Sequence, residues 1–476
     1  MIVEELKDAP APEALARALR DRPGFFHLDS ARPEADTGRA WSYLGFEPFL
    51  LWRAKGGLVT VESGGTREVV SAEPLAHLRG LMGRYRGDTP DLGEIRFGGG
   101  AVGFFGFEFG ARGAGVELSA PAEPALPDAQ FGFYDGVIAC DLAAGKTYLI
   151  ANPVGGRSAQ AILAALRSAV RTADGRRVGD PAFARGFGGH GIAPHLYEPV
   201  EPVSNLTKAD YLRRVCRIKD YLVAGDIYQV NLSQRFETTL AGHPQAVYER
   251  LRALSPAPFG AYLDAGGWQI LSSSPELFLR VDGAGRACTR PIKGTRPRGR
   301  TAAEDQHLVA ELVASAKDQA ELLMIVDLER NDLGRVCRAG SVRVEERHRL
   351  ETHPTVFHLV ATVSGQLDEG RDLYDALRAM LPGGSISGVP KIRALQIIDE
   401  LEPGRRHVYT GAIGWLGFDG TCALNVAIRT IVCRAGRASY QVGGGIVADS
   451  DPEAEFAETL AKGRAMRAAL RGEDLA

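Results

Sequence analysis

The 476-residue sequence predicts a mixed protein of the α/β (α+β) class. Two patterns carry that expectation. Roughly the first 155 residues read as strand-like runs broken by turns, and from Ser204 onward helical periods alternate with short strands. Between them the texture changes to glycine and proline with no apolar period. The sequence therefore divides into an N-terminal region (1–175), a Gly/Pro-rich linker (176–204) and a second region (205–472). This is a division of the sequence, not of independently folding units.

In order, residues 40–49 and 51–61 suggest a hairpin or meander, and 98–109 is rich in glycine and phenylalanine. Strand-like runs at 132–140 and 146–150 flank a turn, and 158–173 has helical periodicity. In the second region Thr207 can cap a helix whose Tyr211, Leu212, Val215, Ile218, Tyr221 and Leu222 recur at helical spacing. A strand follows at 228–237, with short strands at 259–264, 268–273 and 276–281. Residues 301–328 contain a long helix. Helices at 390–401 and 452–470 begin with proline just inside the start, where its missing N–H costs nothing.

A net charge of −3, from 56 basic and 59 acidic residues, gives no electrostatic case for nucleic acid or a membrane surface. No apolar run of about 18 residues suggests a span. The acidic, amphipathic N-terminus lacks the marks of a signal peptide, so a cytoplasmic protein is expected. The six cysteines form no CxxC pair and read as reduced thiols.

Several segments could carry chemistry. Glu455 and Glu458 lie three apart on the last helix, with Lys462 four further on, so they share a face. Such paired carboxylates suit Mg2+, although acids at a helix start are also favoured by the dipole alone. Glu321 is a further carboxylate, four residues from Lys317, with which it could form a plain surface salt bridge. The loop LPGGSISGVPK (381–391) puts glycines and serines before a helix start, a site for an anion, and GGGIV (443–447) allows close backbone approach. Neither is a nucleotide loop. Lys293 stands in PIKGTRPRG (291–299), among other cations in a stiffened segment, and is a candidate nucleophile or simply an exposed loop lysine.

Taken together and in order, these segments resemble the chorismate-utilising enzymes. The similarity runs through GDIYQVNLSQRF (225–236), SSSPELFL (272–279), PIKGTRPRG, AELLMIVDLERNDLGRV (320–336), FHLV (357–360), PGGSISGVPKIRALQIIDELEP (382–403), YTGAIGW (409–415), NVAIRT (425–430) and GGGIVADSDPEAEFAET (443–459). HLDS (27–30), AVGFFGFE (101–108) and LPDAQFGFYD (126–135) match more loosely. The resemblance implies two β-sheets, orthogonal to each other, sandwiched between helical layers. It implies Mg2+ held by Glu321, Glu455 and Glu458. Substrate carboxylates would be held by Tyr409, Arg429, Lys462 and the backbone of Gly443, Gly444 and Gly445, with Thr295 also in the substrate site. Glu276 would be the general acid and His358 an active-site histidine.

Two positions choose among the family's reactions. Gln229 stands where isochorismate and salicylate synthases carry the lysine that activates water. Lys293 in PIKGT stands where anthranilate synthases usually carry alanine and aminodeoxychorismate synthases carry lysine. The resemblance therefore implies aminodeoxychorismate synthase component I chemistry, on the route to 4-aminobenzoate and folate, with chorismate as substrate and a glutamine amidotransferase (glutaminase) subunit supplying ammonia. Neither a glutaminase nor a pyridoxal-phosphate lyase is expected within the chain. The alternatives are anthranilate synthase component I, in tryptophan biosynthesis, and a non-catalytic chorismate- or tryptophan-binding regulator. Ser30 in HLDS marks a possible tryptophan-like regulatory site. Leu322 and Glu108 depart from the usual residues at their positions.

Overall fold

The computed structural model describes residues 1–34, 37–87, 92–122, 126–175, 200–352 and 356–474. The expected linker falls outside these residues from 176 to 199; its last part forms a two-residue strand, Val203–Ser204.

Among the described residues, two antiparallel sheets of 12 strands each form the centre. Strands from both sequence regions are interleaved in both. In the first sheet Phe26–Asp29 pairs with Phe259–Asp264, and in the second Gly100–Phe105 pairs with Ala412–Gly417. Side-chain alternation explains why so many strands are buried on both faces. Val102, Phe104, Ile413 and Trp415 of the second sheet pack with Phe26, Val137, Ile150 and Ile270 of the first. Their immediate neighbours turn the other way. Ile138, Leu149 and Leu271 meet Leu15, Leu166, Leu251 and Met466 of the helices outside the first sheet. Ala101, Phe105 and Leu416 meet the core under Leu78, Val326 and Leu377 outside the second. The layering is thus helices, sheet, sheet, helices, as the resemblance implies. Each such buried aromatic or aliphatic side chain contributes roughly 1.5–3 kcal/mol.

Thr207 caps its helix as expected, and local signals set other helix ends too. Thr207 and Asp210 form a reciprocal capping box on helix Lys208–Val223. Asp451 accepts from Ala454 N at the head of helix Pro452–Arg471, which Gly472 ends in the left-handed conformation. The long helix expected at 301–328 is instead two, Ala302–Ala314 and Ala316–Gly334. Ser315 leaves helical geometry, and its hydroxyl accepts from Asp318 N, starting the second helix afresh. Pro390 caps helix Lys391–Leu401 rather than lying inside it. All six cysteines are free, and among the described residues no helix is long and apolar enough to cross a membrane.

Two of the places where the chain passes between the sheets are adjoining corners. It leaves strand Trp268–Ser274 of the first sheet and enters Leu277–Val281 of the second through Pro275 and Glu276. It returns from Cys422–Val426 to Thr430–Arg434 through residues 427–429. The two corners are tied together: Val426 N donates to Glu276 O at 3.0 Å, and Ser273 N to Arg429 O at 3.1 Å. Arg429 itself has φ 50°, a turn a straight strand could not make.

Candidate active site

Strand Arg437–Ile446 ends in Gly443, Gly444 and Gly445, and the side chains around them come from separate segments of the chain. A Cβ on Gly444 would lie 3.2 Å from Glu455 Oε2 and 3.8 Å from both Glu458 Oε1 and Lys462 Nζ. A Cβ on Gly445 would lie 2.8 Å from Gln229 Nε2 and 3.2 Å from Lys293 Nζ. Any other residue would fill this space, so the glycines are the floor on which these groups converge. Lys462 is held by Glu458 at 2.7 Å and by the Gly443 carbonyl at 3.0 Å.

The acids face one another from two helices. Lys317 Nζ stands 3.9 Å from both Glu321 Oε1 and Glu455 Oε1, so the bridge expected between Lys317 and Glu321 is shared across the site. Burial holds Glu321 above the ordinary carboxylate range, with Asp318 and Glu455 adding repulsion against Lys293 and Lys317. Burial also raises Glu455, aided by Glu458 and opposed by the Ser450 hydroxyl, which donates to Oε1 at 2.6 Å. Burial acts the same way on Glu458, but Lys462, Lys293 and Lys317 outweigh it and hold that carboxyl low. Among the described residues no three His, Cys, Asp or Glu side chains gather into a protein-only metal shell. Oxygen donors spread in this way can hold a hard divalent cation that keeps water or substrate oxygens in the rest of its shell.

Glu276, at the corner between sheets, is 5% exposed. Burial pushes it up to about 7, against a hydrogen bond from Ser385, the charges of Lys293 and Lys462, and the Ile292 N–H. Lys293 is half-buried on strand Ile292–Pro297 and acts electrostatically on Glu276, Glu321 and Glu458. Among the described residues, no carboxylate lies within ion-pair distance of its Nζ. On the same strand Thr295 Oγ1 meets the buried His358 Nδ1 at 2.9 Å.

Tyr409 is buried beside the Arg406 guanidinium, 5.8 Å from its ring centre, and its hydroxyl bears on Tyr211, which also feels Glu455. Arg429 Nη1 meets Ser255 Oγ at 3.4 Å; burial works against its charge, and among the described residues no carboxylate pairs with it. A cation so placed favours an incoming anion. Among the described residues, neither Tyr409 nor Arg429 pairs directly with the side chains gathered over Gly444. Ser30 lies apart from them, lining a cavity of about 70 Å³ with Trp41, Phe259 and Asn425. A cavity of about 570 Å³ between Phe26, Glu62, Phe104 and Asp264 shares no residue with the cluster. Of the two departures, Leu322 is fully buried in the core, while Glu108 Oε1 accepts from Arg406 N and His407 N.

The groups that brace this floor were missed in the sequence. Glu402 and Arg406, 4% and 3% exposed, pair at 2.6 Å; Glu402 also accepts from Ser233 N and Oγ, and Arg406 donates to the carbonyls of Asn231 and Ile386. They tie the strand carrying Gln229 to the loop carrying Ser385. Arg406→Ala leaves a buried carboxylate uncompensated and should cost about 3–5 kcal/mol in chemical denaturation; a loss below about 1 kcal/mol would show that the pair is not structural.

A family model described as chorismate binding enzyme matches residues 40–468. The chain is 39% identical over 482 residues to anthranilate synthase component 1 of Streptomyces coelicolor, covering 99% of this chain and 89% of that protein. It is 36% identical over 452 residues to aminodeoxychorismate synthase component 1 of Bacillus subtilis, covering 93% and 91%. The crystal structure of anthranilate synthase component I from Streptococcus pneumoniae superposes with a TM-score of 0.76 at 31% identity, covering 90% of this chain and 92% of that one.

Proposed function

The chain belongs to the chorismate-binding enzyme family, and we propose that within it the protein is an aminodeoxychorismate synthase component I. It would replace the 4-hydroxyl of chorismate with an amino group and keep the enolpyruvyl group. The ammonia would come from a partner glutamine amidotransferase, and the product would serve 4-aminobenzoate and folate synthesis. The observation that carries this reading is Lys293: a half-buried amine beside Gly445, within the fields of three acids and with no ion pair among the described residues.

In the proposed reaction Lys293 Nζ attacks ring carbon 2, both ring double bonds shift one place, and the carbon 4–oxygen bond breaks. Glu276 gives its proton to the departing hydroxyl. Ammonia then attacks carbon 4, both double bonds return, and the bond from carbon 2 to Lys293 breaks. Two displacements replace one harder one, and a tethered amine has a proximity advantage over free ammonia. Arg429, Tyr409 and Lys462 would orient the substrate carboxylates, Gly443, Gly444 and Gly445 would let the ring approach, and Thr295 and His358 would close the side near Lys293. Gln229 offers no base for water.

Glu321, Glu455 and Glu458 are the residues that would hold Mg2+. The donor set fits, being all oxygen and mutually repelling. When bound, the ion would offset charge on the ring carboxylate. Glu455→Ala should raise the Mg2+ concentration giving half-maximal turnover at least about tenfold, and weaken Mg2+ binding measured by calorimetry. Unchanged titrations would refute the metal assignment.

The second reading, anthranilate synthase component I, is favoured by the equally similar relatives of that name. A lactate dehydrogenase-coupled assay with chorismate, Mg2+ and ammonium separates the two. Chorismate loss without pyruvate supports the proposal; one pyruvate per chorismate overturns it.

A further inference from the structure

Helix Ala316–Gly334 turns two acids inward. Glu329 and Asp332, three residues apart and each 3% exposed, stand on the face that carries Leu322, Ile325, Val326 and Leu333. Leucine at 329 would extend that apolar face but leave the Gly384 N–H without its acceptor. The acid instead reaches the loop that follows Pro382. Glu329 Oε1 accepts the Gly384 N–H at 3.1 Å, while Oε2 is buried with no hydrogen-bond partner among the described residues. Asp332 Oδ2 holds Lys391 Nζ at 2.5 Å, and Lys391 also donates to Met380 O at 3.2 Å. The helix thus grips both ends of the segment: the turn Gly384–Ile386 and the first residue of helix Lys391–Leu401.

Between those grips lies Ser385, whose hydroxyl donates to Glu276. The fit at the first grip is close. A Cβ on Gly384 would come 2.9 Å from Glu329 Oε1 and 2.7 Å from Leu328 Cδ2. We infer that Glu329 is a positioning residue for Glu276: it fixes the depth of the Gly384–Ser385 turn, and so the hydrogen bond that Ser385 makes to the acid. The inference rests on Glu276 acting as the acid in the proposed reaction, but not on which amine product forms.

The charged groups facing Glu329 agree with a neutral carboxyl that still accepts through Oε1. Burial pushes it up to about 8; Asp332 and Glu276 add to the rise, and Lys391 and the Gly384 N–H oppose it. A buried acceptor lost from this place would leave the Gly384 N–H unsatisfied.

The test compares Glu329→Ala and Glu329→Gln with wild type and with Glu276→Gln, following chorismate loss with Mg2+ and ammonium. Displacing a catalytic contact by about 1 Å can cost up to 10²-fold in rate. Glu329→Ala should therefore lower kcat by about tenfold or more with KM little changed. Its alkaline limb should also move to higher pH, because Glu276 without the Ser385 bond keeps its proton longer. Glu329→Gln, whose amide oxygen can take the same N–H, should restore both. In hydrogen exchange, the peptide covering 381–391 should lose protection in the alanine variant and keep it in the glutamine one. Wild-type kcat and pH profile in Glu329→Ala, or unchanged protection at that peptide, overturns the inference. If Glu276→Gln turns over as wild type does, the reading of Glu276 has failed, and the exchange measurement alone decides whether Glu329 holds the turn.

Discussion

Lys293→Ala should abolish the 4-amino product. The amine that forms the first bond is gone, and neither other lysine of the site replaces it: Lys462 is committed to Glu458 and Gly443 O, and Lys317 lies between Glu321 and Glu455. Losing a nucleophile held next to its target forfeits several powers of ten in effective concentration. Turnover to the 4-amino compound should fall at least about 10³-fold. Intact-protein mass spectra of quenched wild-type reactions should show a covalent adduct that the variant lacks. Substrate binding should survive, because the groups proposed to hold the carboxylates are untouched. Normal 4-amino product from the alanine variant would sink the lysine mechanism.

Glu276→Gln should lower kcat by about 10²–10⁴-fold, the usual contribution of a placed general acid. Wild-type activity should fall on the alkaline side as pH rises through about 7, where burial holds Glu276 against the Ser385 hydroxyl and the lysine charges. The residual activity of the glutamine variant should lack that limb. The same substitution should raise stability. The folded pKa lies above the ordinary value of 4.5, so between about 4.5 and 7 the folded protein binds the extra proton and loses stability as pH rises. Glutamine escapes that loss. The variant should match wild type near about pH 4 and exceed it above about pH 7, by a figure on the order of 3 kcal/mol. A variant that keeps wild-type kcat, or is no more stable at about pH 8, contradicts the assignment.

The local features of this molecule were legible from its sequence, because they depend on neighbours. Thr207 with Asp210, Asp451 before Pro452, and the three-residue spacing of Glu455 and Glu458 all act within one helical turn. The site needs long reach. Gln229 reaches Gly445 because strand Gln229–Thr239 pairs with Arg437–Ile446, far along the chain, and Lys293 reaches it from a strand of the other sheet. No period within a segment reports such pairing; only the likeness of whole motifs did. The break at Ser315 was missed because alanine and leucine on both sides favour helix, and a single serine cap decides the matter. Glu329, Asp332 and the Glu402–Arg406 pair were missed for another reason. Acids at apolar-face spacing were the available signal, but solvated acids are so common on helices that position alone does not distinguish a buried one.

The central claim is that the new carbon–nitrogen bond forms at carbon 4 through Lys293. The most direct measurement incubates the purified chain with chorismate, Mg2+ and 15N-ammonium and locates the label in the isolated product by NMR and mass. Nitrogen on carbon 4 of a compound that retains its enolpyruvyl group is the predicted result. Nitrogen on carbon 2 of an aromatic ring, with pyruvate released, would contradict it and make the protein an anthranilate synthase component.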